Sequence, residues 1–225
     1  MEKQYVDVII ATPGHSLTMP YVKSFLPTIE MLANKGISMA FVSEYSSHVA
    51  NAREATINGG TQNNINESRP LNGQLDYKKI IWIDSDIAWK PDDFLKLYES
   101  DKDIISGAYL LGSGMVTAYK EQFGNPYLYD DVIKMTEPVQ IEGAGFGFLA
   151  VKKGVFESLT RPWFQQVQTT MIDPETKKEF SFPLMGEDIS WCKRVKDAGY
   201  EIWFDPTIRV THHKTMKLTW EGIQP

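Results

Sequence analysis

The sequence predicts an α/β domain with a mixed, mostly parallel central sheet and helices packed against it. Short β-branched runs alternate with helical patterns through the first half of the chain, which is typical of βαβ units. The chain has 225 residues, 42% of them hydrophobic, which is enough for one full hydrophobic core. A polar tract at 61–76 is interpreted as an exposed loop within the domain, so a single domain is expected over 1–225.

The predicted elements follow the order that a parallel sheet requires. The predicted strands of the sheet are 6–11, 37–42, 78–86, 103–109 and 202–204. The predicted helices run from Pro20 to Gly36, over 48–58, from Pro91, over 153–159 and from 186 to 198. Two hairpins are predicted in the second half, one over 115–129 and one that turns at 173–174.

Composition excludes several classes of function. A formal net charge of −6 argues against nucleic acid or an anionic membrane as a general partner. Cys192 is the single cysteine, so an intrachain disulfide framework is impossible. The first residues lack the pattern of a signal peptide, and no apolar run approaches the roughly 20 residues of a membrane-spanning helix. We therefore expect no integral membrane segment and a cytoplasmic location.

The apolar run 78–83 ends in Asp84-Ser85-Asp86. Side chains alternate along a strand, which would point Asp84 and Asp86 to the same side. Ligands of open α/β sheets bind outside the carboxyl ends of the strands. Paired carboxylates at such an end suit a hard divalent cation and, through it, a phosphate-bearing ligand. The alternative is an ordinary polar exit from a strand, and the pair by itself leaves both interpretations open.

Further polar groups stand later in the chain. Glu187-Asp188 begins a predicted helix, where Asp188 could act as a cap or belong to a functional site. His212-His213 follows the last strand as a structural or a metal-binding pair. The glycine-rich segment 142–148 lacks the Gly-Lys-Ser/Thr ending of a phosphate loop. Its glycines are interpreted as positions where a ligand or another backbone approaches closely.

In their order along the chain, these motifs resemble the GT-A glycosyltransferases, specifically the family 2-like enzymes that use nucleotide-diphosphate sugars. The resemblance runs from about Val6 to His213. It implies a Rossmann-like GT-A fold with a nucleotide-binding half over about 1–110 and an acceptor half over about 111–225. The chain departs from the family pattern at Glu54, where the family's Ala-Arg-Asn element has asparagine, and at Thr211, where glycine is common.

The resemblance also implies a role for each matching residue. The implied contacts of the donor nucleotide are Thr12, Pro13, Glu44, Arg53, Asp84 and Ser85. The implied ligands of a Mn²⁺ or Mg²⁺ ion are Asp84, Asp86 and His212, with His213 as the alternative histidine. The implied catalytic residues of an inverting transfer are Asp188 as the base and Glu187 as a positioning carboxylate. The implied acceptor contacts are Gly143 and Gly145, and Trp163 is a further candidate because its ring could stack on the face of a sugar.

The resulting prediction is a metal-dependent glycosyltransferase that moves a sugar from a nucleotide-diphosphate donor, with UDP favoured, to a glycan or other hydroxyl acceptor. A sugar-nucleotide pyrophosphorylase is one alternative, but that class usually carries a basic glycine-rich loop after its first strand. Residues 11–15 lack the basic side chains of such a loop. The other alternative is a non-catalytic module that binds a nucleotide or a carbohydrate.

Overall fold

The structure is a computed structural model that describes residues 4–58, 68–112, 114–120, 125–172, 175–182, 186–214, 217–219 and 222–224. Its helices are α1 (Met19–Asn34), α2 (Val49–Asn58), α3 (Pro91–Glu99), α4 (Tyr129–Val132) and α5 (Glu187–Asp197). Its strands are β1 (Gln4–Ala11), β2 (Met39–Val42), β3 (Leu75–Ile83), β4 (Ile87–Ala88), β5 (Ile104–Ala108), β6 (Met115–Tyr119), β7 (Pro126–Leu128), β8 (Val139–Ile141), β9 (Gly143–Ala144), β10 (Phe148–Lys152), β11 (Thr169–Ile172), β12 (Glu179–Phe182), β13 (Ile202–Arg209), β14 (Thr211–His212), β15 (Lys217–Thr219) and β16 (Gly222–Gln224). In this part of the chain, no helix has both the length and the apolar character needed to cross a membrane.

The central sheet has seven strands within the described residues, in the order β2-β1-β3-β10-β5-β13-β8. The pairs β1–β2, β1–β3 and β5–β13 are parallel, whereas β10 and β8 run antiparallel to their neighbours. Five of the seven strands therefore point the same way. The predicted fold class, a mixed and mostly parallel sheet flanked by helices, is confirmed.

Strand β3 lies at the centre of the core. Its residues 80–83 are fully buried, and they alternate between two hydrophobic clusters, one on each face of the sheet. Ile80 and Trp82 pack in one cluster, and Ile81 and Ile83 pack in the other. Because both faces of this part of the strand are covered, the sequence of residues 80–83 is continuously apolar instead of alternating. This burial fixes where the polar residues that follow Ile83 leave the sheet.

Lys79 is the exception to this apolar pattern. Its ammonium is buried and donates hydrogen bonds to the carbonyls of Leu97, Tyr98 and Ser100 at the end of α3, at 3.0, 2.8 and 2.5 Å. The last carbonyls of a helix have no partner within the helix, so a buried helix end needs such a donor. Lys79 therefore joins α3 to the central strand.

Several predicted boundaries are corrected by the structure. The predicted strand 78–86 begins earlier and ends at Ile83, and a turn closed by the Ile87 amide on the Asp84 carbonyl follows it. The two aspartates therefore lie outside the strand, and the alternation argument does not apply to them. The predicted helix 153–159 is reduced to a single 3-10 turn at Phe156–Ser158.

The two predicted hairpins are confirmed. β6 pairs antiparallel with β7, and β11 pairs antiparallel with β12. The turn residues 121–124 and 173–174 lie outside the described residues, as do 59–67, which cover the predicted end of the second helix and the first part of the predicted polar loop. The rest of that predicted loop forms a 3-10 turn at Pro70–Gly73 and the first residues of β3.

Candidate active site

Most of the residues predicted to bind the donor or a metal gather at the carboxyl edge of the central sheet. Thr12 follows β1, Asp84 follows β3, and His212 lies just beyond β13. Parallel strands end at the same edge, so positions far apart in the sequence meet there. An open cleft of about 260 Å³ lies at this edge. Its lining residues are Pro13, Gly14, Tyr45, Ser46, Ser47, Val49, Ala52, Arg53, Asp84, Ser85 and Asp86.

Asp86 and His212 form a carboxylate–imidazole pair beside this cleft. The two-residue strands β4 and β14 pair antiparallel, which sets His212 opposite Ile87 and next to Asp86. Nε2 of His212 lies 3.1 Å from Oδ2 of Asp86, and Nδ1 lies 3.0 Å from the Leu110 carbonyl oxygen. A carbonyl only accepts, so the contact with Leu110 uses Nδ1 as a donor, and Nε2 is the nitrogen that faces the carboxylate. His213 instead donates its backbone N–H to the Asp86 carbonyl.

This pair has the donor set and the outer support of a metal site. A metal-binding histidine usually donates its other ring N–H to a carbonyl or a carboxylate, as Nδ1 does here to Leu110. Carboxylate and imidazole together suit Mn²⁺ at least as well as Mg²⁺. Among the described residues, no group of three or more histidine, cysteine or acidic side chains could hold a metal. Asp86 and His212 therefore fit a cation that takes its other ligands from a bound substrate or from water.

Asp84 belongs to a different group, centred on Arg53 of α2. The guanidinium Nη1 and Nη2 lie 3.0 and 3.3 Å from Oδ1 and Oδ2 of Asp84, and Nε lies 3.1 Å from Oε1 of Glu187. Arg53 is buried and lies over the rings of Trp82 and Phe146. Burial alone would lower the pKa of Arg53, but Asp84 and Glu187 reverse this and raise it. Arg53 thus stays charged and ties the end of β3 to the start of α5.

This arrangement changes the expectation for both residues. The sequence predicts that Arg53 contacts the donor nucleotide, but its three nitrogens are committed to two carboxylates. It also predicts that Asp84 holds a metal or the donor, but both oxygens of Asp84 accept from Arg53. Asp86 is therefore the aspartate of the motif that faces the histidine, and Asp84 orders the guanidinium.

Asp188 stands at the start of α5 with its carboxylate turned back on the helix. Its Oδ1 accepts the backbone N–H of Ile189 at 2.7 Å. Burial first, and then the adjacent Glu187 carboxylate, raise the pKa of Asp188 to about 6, while Arg53 opposes the rise. A carboxylate whose pKa lies near the working pH is suited to general-base catalysis. Glu187 is buried against Arg53, so it acts on Asp188 through its charge.

The remaining donor-side residues shape the cleft mainly through their backbone. The buried Thr12 hydroxyl lies 2.6 Å from the Tyr21 hydroxyl, so its side chain points into the core. The Glu44 carbonyl accepts the Gly14 amide at 3.0 Å, which joins the loops after β1 and β2. The Ser85 carbonyl accepts both the amide and the hydroxyl of Thr18, the residue that caps α1. Pro13 and Ser85 line the cleft directly.

The residues predicted to contact the acceptor are buried and do not form an open surface. Trp163 is fully buried, with its indole N–H donated to the Phe156 carbonyl at 2.9 Å, so neither ring face is open to a sugar. Gly143 lies in β9, paired with Tyr119 of β6. Gly145 faces the Tyr109 ring, and that contact explains the glycine. The glycine-rich segment therefore admits a tyrosine side chain where a ligand or another backbone is expected from the sequence.

Two tyrosines of the site were not singled out from the sequence. Tyr45 lines the cleft, is 59% exposed, and meets His15 edge to face with the ring centroids 5.2 Å apart. Tyr109 is buried and packs edge to face on His212, with the ring centroids 5.4 Å apart. The feature of the sequence that could have indicated a large side chain at this position is the close spacing of Gly145 and Gly147, because glycines leave room for a near neighbour.

Glu54 explains the departure from the family's Ala-Arg-Asn element. Its carboxylate accepts from Arg161 Nε at 3.1 Å and from the backbone amides of Trp163 and Phe164 at 2.8 and 3.3 Å. Arg194 of α5 holds the same segment by donating to carbonyls of Thr160, Pro162 and Trp163. Glu54 therefore anchors α2 to the segment that packs beside α5.

We expect Glu54→Ala to lower the free energy of unfolding by about 2–3 kcal/mol, because buried amides and a guanidinium lose their acceptor. Urea unfolding monitored by tryptophan fluorescence measures this change. Glu30→Ala, on the exposed side of α1, is the matched control and should change stability by less than about 0.5 kcal/mol. Equal midpoints for the two variants would show that the Glu54 contacts contribute nothing.

Comparisons with known proteins show resemblance in structure and none in sequence. No family model matches the chain, and no curated protein matches it. The crystal structure of A197 from STIV is 18% identical and covers 96% of this chain and 91% of its own, with a TM-score of 0.59.

Two of the similar solved structures are glycosyltransferases. GalNAc-T7, solved with UDP, GalNAc and Mn²⁺, is 11% identical and covers 92% of this chain, with a TM-score of 0.50. The chain spans only 43% of that protein. The catalytic domain of Drosophila beta1,4-galactosyltransferase 7, solved with xylobiose, is 13% identical and covers 94% of this chain and 71% of its own, with a TM-score of 0.49. At these identities the similarity concerns the fold alone, and the fold of this chain is GT-A-like.

Proposed function

We propose that the protein is a glycosyltransferase that moves a sugar from a nucleoside-diphosphate donor to a hydroxyl acceptor in the presence of a divalent cation. The observation that carries the proposal is the Asp86–His212 pair at the rim of the cleft, with the His212 Nδ1 held by a backbone carbonyl. That pair is suited to a cation, and the adjoining cleft suits the nucleotide that the cation would help to bind.

In this proposal the residues of the chain bind the cation and remove a proton from the acceptor. Asp86 and His212 would hold the cation, which would neutralise charge on the diphosphate leaving group. The acceptor oxygen attacks the anomeric carbon, the bond from that carbon to the diphosphate breaks, and the nucleoside diphosphate leaves with the electron pair. Asp188 takes the proton of the attacking hydroxyl. Glu187 and Arg53 set the charge around Asp188, the former raising and the latter lowering its pKa.

The finer parts of the proposal are the donor and the stereochemistry. A UDP-sugar and Mn²⁺ are favoured because GalNAc-T7 has been solved with UDP and Mn²⁺. A family 2-like inverting transfer is favoured because a single base, Asp188, stands at the start of α5. The acceptor is a glycan or another hydroxyl compound. The division into a donor half over about 1–110 and an acceptor half over about 111–225 belongs to the same proposal, since the cleft is lined by residues of the first half.

We expect UDP with Mn²⁺ to raise the melting temperature of the wild-type protein, because a ligand at 100 times its Kd adds about 2.7 kcal/mol. Asp86→Ala should abolish this shift by removing the carboxylate that faces His212. Thermal unfolding with UDP, GDP or TDP, with and without Mn²⁺, measures the effect. Asp101→Ala, an exposed aspartate that precedes β5, is the control and should keep the full shift.

Thermal unfolding, combined with an assay of UDP release from UDP-sugars, separates the proposal from its alternatives. If none of the diphosphates raises the melting temperature with Mn²⁺ or Mg²⁺ present, the donor site is wrongly assigned. If UDP with Mn²⁺ stabilises the protein but no nucleotide sugar is hydrolysed or transferred, the protein is a binding module. Metal-dependent release of UDP from a UDP-sugar supports the enzyme.

A further inference from the structure

Tyr109 connects the glycine-rich segment to the histidine of the candidate metal pair. It follows β5 and is 6% exposed. On one side its hydroxyl accepts the backbone N–H of Gly147 at 3.0 Å. On the other side its ring meets the His212 ring edge to face, with an interplanar angle of 89°. The next residue, Leu110, supplies the carbonyl that His212 Nδ1 approaches at 3.0 Å. Two consecutive residues therefore hold the histidine.

The glycines are required for this placement of Tyr109. A Cβ at Gly145 would lie 2.2 Å from the Tyr109 hydroxyl oxygen, and one at Gly147 would lie 2.6 Å from the ring carbon Cζ. Both distances are far below van der Waals contact. Tyr109 is buried, so its ring could make room only by moving away from the glycines. His212 lies in contact with that ring, so the movement would be passed to the imidazole.

We propose that Tyr109 is a positioning residue for His212, and that Gly145 and Gly147 serve to seat it. The ring edge fixes the tilt of the imidazole, while the Leu110 carbonyl accepts a hydrogen bond from Nδ1, so that Nε2 is presented to Asp86. The consequence for metal affinity rests on the proposed function. The placement of the imidazole does not, because it is a property of the metal-free protein.

Four variants isolate the role of the ring. Tyr109→Leu removes the ring that touches His212, and Tyr109→Phe keeps it. Gly145→Ala puts a methyl group against the Tyr109 hydroxyl oxygen and should displace the ring. Combining Gly145→Ala with Tyr109→Phe removes that oxygen and leaves the nearest ring carbon at 3.2 Å, which a small adjustment accommodates. The matched control is Gly112→Ala, because a Cβ at Gly112 meets nothing within 4 Å.

The first measurement is NMR of ¹⁵N-labelled histidine in the metal-free proteins, with His212 assigned by comparison with His212→Gln. The wild type, Tyr109→Phe and the control should show a single, sharp set of His212 ring nitrogen signals. Tyr109→Leu and Gly145→Ala should show a broadened or mixed signal. The Gly145→Ala/Tyr109→Phe double variant should regain the wild-type signal, and this rescue distinguishes positioning from a general loss of structure.

The second measurement is Mn²⁺ affinity, followed by electron paramagnetic resonance of the free ion in the presence of UDP. We expect Tyr109→Leu and Gly145→Ala to weaken Mn²⁺ binding about tenfold or more, which is the usual effect of losing the outer support of a metal-binding histidine. The double variant retains the aromatic ring that supports His212, so it should bind Mn²⁺ within about threefold of the wild type.

The outcomes distinguish the positioning role of Tyr109 from the proposed metal-dependent function. Unchanged His212 signals in both Tyr109→Leu and Gly145→Ala overturn the positioning role, whatever the metal affinity. The predicted signals with no Mn²⁺ binding in the wild type leave the positioning role in place and contradict the metal-dependent function. If Tyr109→Leu does not fold, the comparison of Gly145→Ala with the double variant still tests the positioning role. Failure of the double variant to regain the wild-type His212 signal counts against the proposal.

Discussion

The Asp188→Asn variant should transfer sugar about 10²–10⁴-fold more slowly than the wild type while binding UDP and Mn²⁺ with unchanged affinity. Asparagine has nearly the same shape as aspartate, and its side-chain oxygen can still accept the Ile189 amide that Asp188 Oδ1 accepts at 2.7 Å. The substitution therefore removes the proton acceptor and retains the start of α5. Initial rates with saturating donor measure the loss, and the thermal shift with UDP measures the retained binding.

The pH dependence provides a second readout of the same residue. Burial first, and then the Glu187 charge, raise the pKa of Asp188 from 3.8 to about 6. The base is protonated below that pH, so wild-type transfer should rise as the pH increases through about 6 and then level off. The residual rate of Asp188→Asn should lack this inflection.

Stability should change in the opposite sense. A carboxyl group whose pKa is raised by folding binds its proton more tightly in the folded state, so its contribution to stability falls as the pH rises from about 4 to about 6. Asp188→Asn does not titrate, so relative to the wild type its stability should improve over that interval. Denaturant unfolding at pH values on both sides of the interval tests the sign.

Asp92→Asn is the matched control for Asp188→Asn. Asp92 also lies in the first turn of a helix, but it is exposed and belongs to α3. Its variant should keep the wild-type rate and the wild-type pH profile. Equal transfer by Asp188→Asn and the wild type would exclude Asp188 as the base, and the role would have to be sought elsewhere around the cleft.

Replacing Arg53 with methionine should lower the free energy of unfolding by about 3–5 kcal/mol, because removing one partner of a buried ion pair leaves charge without compensation. The Arg53 side chain is 5% exposed, and its partners Asp84 and Glu187 are 30% and 11% exposed. Glu187 is the more buried carboxylate, so losing its partner destabilises it more. Asp84 is more exposed to water, so we expect the loss of unfolding free energy to lie toward the lower end of the range. Urea unfolding at neutral pH measures it.

The loss of Arg53 should also change the pKa of Asp188, the proposed base. Arg53 lowers the pKa of Asp188, so its removal should move the rise of the pH–rate profile to higher pH. This shift distinguishes an effect on the site from simple destabilisation, which lowers the amount of folded protein at every pH.

Two further variants calibrate the Arg53 result. Arg53→Lys retains the charge but cannot reach Asp84 with two nitrogens and Glu187 with a third, so its stability should fall between the wild type and Arg53→Met. Lys193→Met breaks the exposed pair of Lys193 with Asp197, spaced i,i+4 on α5, and should cost less than about 0.5 kcal/mol. A loss for Arg53→Met no larger than that of Lys193→Met would show that the buried pairs have no net effect.

The sequence alone predicted the architecture because that information is local. The buried runs 80–83 and 8–11 are each continuously apolar, which is typical of parallel strands covered on both faces. Pro20 and Gly36 bound the first helix through backbone preferences that each residue carries by itself. These features predicted the mixed, mostly parallel sheet, and they placed Asp86 at the carboxyl end of a predicted strand and His212 after the last one.

Only the tertiary structure decided which of those residues face one another. Asp84 and Asp86 hold equivalent positions in the sequence pattern, yet the turn after β3 directs one to Arg53 and the other to His212. Likewise, the sequence predicts that the glycines near 145 receive a ligand or another backbone, and they receive the Tyr109 ring. The physical reason is that side-chain partners are set by packing between segments that are distant in the sequence, and no local preference encodes such contacts.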